Sequence, residues 1–240
     1  MAKCILVASG KGGVGKSTFT AGISSALSER GLKILAIDCD IGLRSLDLLL
    51  GHSSDIIFDW GDVLLERCEP GQAIIKGDVD FIAAPRSFDE GFTDEAFGSV
   101  IKKLSADYDY IFIDAPAGID RGFRLAASGA DRAVVITTPD CVCVRSCSRA
   151  FSELDKLGIR KIRLVINMFE AKAVCKGRLL NIDECIDETG VRLLGVIPMD
   201  RELSFCSVTG EEPDEFSPSS LAFMRIAKRL EGEKARLICQ

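Results

Sequence analysis

Ser9-Gly10-Lys11-Gly12-Gly13-Val14-Gly15-Lys16-Ser17-Thr18 fits the spacing G-x-x-x-x-G-K-[ST] and carries a second lysine, Lys11, inside the loop. A match of this kind means little without its flanks. Here Lys3 to Ala8 (KCILVA) is an apolar run of strand length, and Ser17 to Arg30 (STFTAGISSALSER) has apolar residues at helical spacing, with Gly31 at its stop. Strand, glycine loop and helix therefore follow in the order a phosphate cradle needs. Gly10, Gly12, Gly13 and Gly15 let the backbone turn left-handed and approach a ligand closely, so that successive N–H groups, including those of Val14 and Thr18, can face phosphate oxygens. The positive end of the following helix favours an anion at the same place. Lys16 is expected to reach the β- and γ-phosphates, and the Ser17 hydroxyl to ligate Mg²⁺.

Outward from this loop, strand-like runs recur at Lys33 to Asp38, Val79 to Ala84, Tyr108 to Asp114, Arg132 to Thr137, Ile162 to Asn167 and Val191 to Pro198, most of them separated by helical patterns. Such alternation predicts an α/β fold with a mostly parallel central sheet and helices on both faces, and the glycine loop at the end of its first strand reads as a P-loop. Ligands in such sheets bind beyond the carboxyl ends of the strands. Two of those ends carry acidic, glycine-containing loops: Asp38-Cys39-Asp40-Ile41-Gly42-Leu43-Arg44-Ser45-Leu46-Asp47 and Asp114-Ala115-Pro116-Ala117-Gly118-Ile119-Asp120. Asp38, Asp40 and Asp114 are thus expected to converge on the phosphate site, although aspartates also cap loops. Residues 211–218 (EEPDEFSP) read as a surface loop before a last helix from Ser219 to Glu231.

Composition sets the outer bounds. With 240 residues, 47% hydrophobic and 28% charged, the chain is expected to form one globular domain over residues 1–240. No apolar stretch approaches the ~20 residues that cross a bilayer, and Met1-Ala2-Lys3-Cys4 leads straight into the first strand, so a cytoplasmic location is expected. A net charge of −6 argues against a dedicated nucleic-acid binder. None of the ten cysteines forms C-x-x-C. Most are expected to be reduced thiols.

SGKGGVGKST, AIDCDIGLRSLDLLLG, IFIDAPAGI and LLGVIPMD together span nearly the whole chain and resemble the motifs of the deviant Walker-A, or MinD/ParA, family of P-loop ATPases. The likeness is strongest, through IGLRSLD, to its septum-site-determining branch. The resemblance implies an ATP-bound sandwich dimer in which Lys11 of each protomer reaches the phosphates of the other, ATP and Mg²⁺ as cofactors, and a regulatory protein partner. It further implies that Asp40 positions the attacking water, that Asp114 holds Mg²⁺ through a water with Asp38 behind it, and that Asn167, Pro198 and Asp200 contact adenine.

Three departures from the family pattern stand out. Val144-Arg145-Ser146 lacks the carboxylate usual at its third position, and Met168 replaces a frequent arginine. Only Gly232 to Gln240 follows the last expected helix, with Leu237 and Ile238 as its clear apolar anchors, so only a weak handle on the inner face of the membrane is expected. The pair Cys141/Cys143 with nearby Cys147 leaves a metal- or cluster-handling ATPase as an alternative, and the family leaves a DNA-positioning ATPase as another.

Overall fold

The computed structural model describes residues 1–52, 56–209 and 213–238. In chain order its elements are β1 (Lys3–Ala8), α1 (Lys16–Ser28), β2 (Ile34–Asp38), α2 (Leu46–Leu49), α3 (Trp60–Leu64), β3 (Asp80–Ile82), α4 (Asp94–Leu104), β4 (Tyr110–Asp114), α5 (Arg121–Ser128), β5 (Arg132–Thr137), α6 (Cys141–Lys156), β6 (Lys161–Phe169), α7 (Ala171–Cys175), α8 (Ile182–Thr189), β7 (Leu193–Pro198), α9 (Arg201–Thr209) and α10 (Pro218–Leu230), with a 3₁₀ turn at Pro70–Gln72. The seven strands form one sheet in the order β3-β2-β4-β1-β5-β6-β7, and every ladder between them is parallel. β1 lies between β4 and β5, at the point where the winding of the chain reverses direction. A crevice opens beyond the carboxyl ends of the strands at such a point.

Successive residues of each central strand face opposite layers, which is why these strands are apolar throughout. Leu6, Ile111, Ile113, Val135 and Leu164 pack on one side with Phe97, Phe123, Val144 and Cys185 of α4, α5, α6 and α8. Ile5, Val7, Phe112, Val134 and Val165 pack on the other with Phe19, Ile23 and Leu27 of α1 and Phe223 and Ile226 of α10. Helix ends follow their local chemistry. Thr93 caps α4 through the Ala96 N–H, Asp94 and Glu95 open it, and Lys102 and Lys103 close it, in keeping with the helix dipole.

The observed elements differ from the sequence expectations mainly at their ends. β3 shrinks to three residues, and β6 extends to Phe169 through an irregularity at Met168, whose φ is +53°. α2, α3 and α7 span only four or five residues, too few for a period to register. The expected acidic loop at 211–218 falls partly outside the described residues. Among those described, no helix is long and apolar enough to cross a membrane.

Candidate functional site

β1 ends at Ala8, and the chain then wraps through residues 9–15 into α1, whose N-cap is Gly15 at φ +90°. One internal hydrogen bond and two neighbouring elements hold this loop. The Ser9 hydroxyl donates to the Lys11 carbonyl at 2.7 Å. Asn167, on β6, donates its amide to the Val14 carbonyl at 2.8 Å. On the third side α6 comes so close that a Cβ on Gly10 would lie 1.9 Å from the Ser146 carbonyl oxygen, which only glycine permits. Lys16 is buried at the start of α1, whereas Lys11 is exposed on the loop. One lysine is therefore held within the protomer, and the other is presented outward.

Asp38 and Asp114 are register partners at the ends of β2 and β4, and both are fully buried. Asp38 spends both oxygens on the loop that follows it, accepting from the Asp40 N–H at 2.8 Å and the Leu46 N–H at 3.2 Å. It therefore stands as the brace of that loop, behind the site. Asp114 differs. One of its oxygens sits 3.5 Å from the Thr20 hydroxyl, and the other, Oδ2, is buried without a hydrogen-bond partner. Burial raises the proton affinity of both groups, to about 6 for Asp38 and about 7 for Asp114, and each group's neighbouring aspartates push in the same direction. The Ser17 hydroxyl and the Lys16 ammonium draw Asp114 partly back. A buried, unpartnered carboxylate oxygen beside Ser17 is the donor set that a hard cation bound to phosphates would complete, so these residues fit Mg²⁺.

Asp40 is half-buried. Burial raises its pKa and the charge of Lys16 lowers it, which places the carboxylate near the cradle lysine. The loop from 39 to 45 reaches the P-loop helix directly, because the Ser45 hydroxyl donates to the Ser17 hydroxyl at 3.0 Å. The structure thus brings Lys16, Ser17, Asp38, Asp40 and Asp114 to one crevice. Ser45 and Thr20 join them unexpectedly. Thr20 could have been found from its spacing, since it lies one helical turn after Lys16 and donates back to the Lys16 carbonyl at 3.1 Å.

The residues expected at adenine sit further round. Asn167 is buried and engaged with Val14, and Pro198 ends β7 opposite Phe169. Asp200 takes the Glu202 N–H at 3.0 Å and the Ser219 hydroxyl at 2.7 Å, fastening the starts of α9 and α10. The thiols of the Cys141/Cys143 pair part company on α6: Cys141 is exposed and Cys143 buried. Among the described residues no three histidine, cysteine, aspartate or glutamate side chains gather as a metal site.

This geometry is that of a nucleotide-binding P-loop domain. Residues 5–213 match the CobQ/CobB/MinD/ParA nucleotide binding domain. The chain is 37% identical to the septum site-determining protein MinD of Synechocystis, over 97% of this chain and 91% of that protein. Among solved structures it superposes on the MinC:MinD cell division protein complex of Aquifex aeolicus with a TM-score of 0.91 at 35% identity, covering 99% of this chain and 98% of that one. On MinD of Pyrococcus horikoshii complexed with Mg-ADP the TM-score is 0.85 at 30% identity, with 96% of each chain covered. The chain belongs to the MinD/ParA family of nucleotide-binding proteins.

The buried pair predicts a pH dependence. Asp114 binds its proton more tightly folded, at about 7, than at its ordinary 3.8, so the stability this gives is full below pH 3.8 and is lost as pH rises through 7. Asp114→Asn keeps that stability at all pH values. Without nucleotide, the variant is expected to melt about 5 °C or more above the parent at pH 8 and to approach it near pH 5. Melting curves at the two pH values check this, and a variant less stable at pH 8 would contradict it.

Proposed function

We propose that this protein is an ATP-hydrolysing dimerisation switch that regulates the placement of the division site, or a related spatial decision, through a partner protein. The observation that carries the reading is the arrangement of Asp40: a half-buried carboxylate beside Lys16, on a loop that Ser45 ties to Ser17 of the P-loop. Likeness to septum site-determining MinD over nearly the whole chain, and to a MinD solved with MinC, supports the partner and the process.

The chain's own groups divide the work. Backbone N–H groups of residues 10–18 and the end of α1 hold the phosphates, and Lys16 neutralises charge on them. Ser17 and, through water, Asp114 would hold Mg²⁺, which when bound neutralises the β- and γ-phosphate oxygens. Asp40 orients the attacking water. Lys11, exposed on the loop, supplies a positive charge to the partner protomer's site, so hydrolysis waits for assembly. Asn167, Pro198 and Asp200 line the base end, and Asp38 keeps the Asp40 loop folded.

Three variants separate these roles. Lys16→Ala is expected to lose ATP binding while keeping its fold, and unchanged affinity by calorimetry would remove the assignment. Lys11→Ala should bind ATP yet fail to dimerise, and a normal ATP-dependent dimer in sedimentation would exclude its action in trans. Asp40→Ala should bind ATP, accumulate as a dimer and hydrolyse ~10²-fold more slowly or worse. Single-turnover rates at the parent level would show Asp40 to be a loop residue only.

A further inference from the structure

We propose that Arg44 is a positioning residue for hydrolysis: it locks the loop that carries Asp40 against two fixed points of the fold. The inference rests on the hydrolytic role of Asp40 given above. Gly42 and Leu43, in the middle of this loop, are exposed, so apolar packing does little to hold it. Polar ties do so instead. At its start Asp38 fixes the Asp40 N–H, and at its end the Arg44 guanidinium turns inward. Arg44 Nε donates to the Ala84 carbonyl at 2.6 Å and Nη2 donates to Asp59 at 2.9 Å, with both side chains of that pair mostly buried.

Both anchors are rigid. Ala84 lies just past β3 and is fully buried. Asp59 caps α3 in a reciprocal box with Asp62, and the next residue, Trp60, donates its indole N–H to the Asp38 carbonyl at 2.8 Å. The clamp therefore closes a circuit from Asp38 through the loop to Arg44, across to α3 and back to Asp38.

The backbone records the load on this clamp. Arg44 has φ +43°, a conformation that side chains other than glycine avoid and that persists only where the surroundings impose it. Its N–H and that of Leu43 both reach the Asp40 carbonyl, at 3.3 and 3.2 Å, so the turn that strains Arg44 is the one that fixes the main chain of Asp40. Gly42 adds a third tie, donating to the Pro85 carbonyl at 3.2 Å. Without the guanidinium fork the loop gains conformational freedom, and Asp40 occupies its working position for only a fraction of the time. Such a loss lowers the rate of hydrolysis and leaves ground-state binding of ATP nearly alone. Lysine, with one compact donor group in place of a fork, restores only part of it.

The test is a double-mutant cycle on the full chain with Mg-ATP, reading single-turnover hydrolysis and ATP affinity together. Arg44→Ala should slow hydrolysis by about 10- to 100-fold with affinity within about threefold of the parent, and Arg44→Lys should fall between. In the Asp40→Ala background, Arg44→Ala should cost nothing more, because the group it positions is gone. Parent-level hydrolysis in Arg44→Ala, alongside a slow Asp40→Ala, overturns the proposal. So do losses that multiply in the double variant, since Arg44 would then act independently of Asp40. Asp40→Ala hydrolysing at the parent rate overturns the underlying reading and this inference with it, a pattern distinct from the other two. Should Arg44→Ala melt below the assay temperature, Asp59→Asn keeps a capping oxygen for α3 while removing the ion pair. It should show the same selective loss of rate, and a normal rate there is equally fatal.

Discussion

Two carboxylates buried side by side set the terms for the rest of this molecule. Asp38 and Asp114 end adjacent parallel strands, fully out of water, where like charges repel through a poorly screening medium. Each is answered differently. Asp38 is satisfied by two backbone N–H groups of its own loop, and that satisfaction gives the loop its shape. Asp114 keeps one oxygen bare beside Ser17 and Lys16. The pair is therefore split into a member that braces its loop and a member with one oxygen left unpaired. A positive charge placed beside Asp114 would relieve the repulsion that Asp38 and Asp40 exert on it.

The cradle itself is gripped from three directions. α6 presses on Gly10, β6 holds Val14 through Asn167, and the loop after β2 touches Ser17 through Ser45. A phosphate site that must act as soon as it is filled benefits from such fixing, because no reorganisation of donors is then left for the moment of reaction. The same contacts join the P-loop to elements from both halves of the sheet. Whatever displaces the loop after β2 is felt at Ser17, one residue from Lys16.

Much of the architecture was legible in the sequence because its signals are local. KCILVA and RAVVIT match β1 and β5 residue for residue, and the glycine loop lies between strand and helix as its spacing requires. Central parallel strands are apolar on both faces, so their runs stand out without any knowledge of partners. The carboxylates at strand ends were visible for the same reason. What could not be read was which contacts bridge distant segments. Arg44 meets Asp59 and Ala84 only because β2 and β3 are neighbours, and no spacing within IGLRSLD announces that. Asn167 and Asp200 are the sharper case. An amide or a carboxylate at a strand end serves equally well to contact a base or to tie down a loop, and the structure shows both already tied, to Val14 and to the starts of α9 and α10. α9 leaves no signal in the sequence, because its nine residues, RELSFCSVT, carry no apolar stripe of helical period.

The order of the strands has a consequence for how the chain is born. β1 leaves a ribosome before the other strands of its sheet, yet its neighbours there are β4 and β5, and the amide that steadies Val14 belongs to residue 167. At translation rates of about 5–20 residues per second, roughly eight to thirty seconds separate the synthesis of the glycine loop from that of Asn167. Until β4 and then β5 have emerged, KCILVA is an apolar strand with open edges, the kind of segment that chaperones cover and that neighbouring nascent chains can capture. The glycine loop gains that last hydrogen bond only once residue 167 has emerged. A fully braced glycine loop therefore also certifies that synthesis has carried the sheet past its centre.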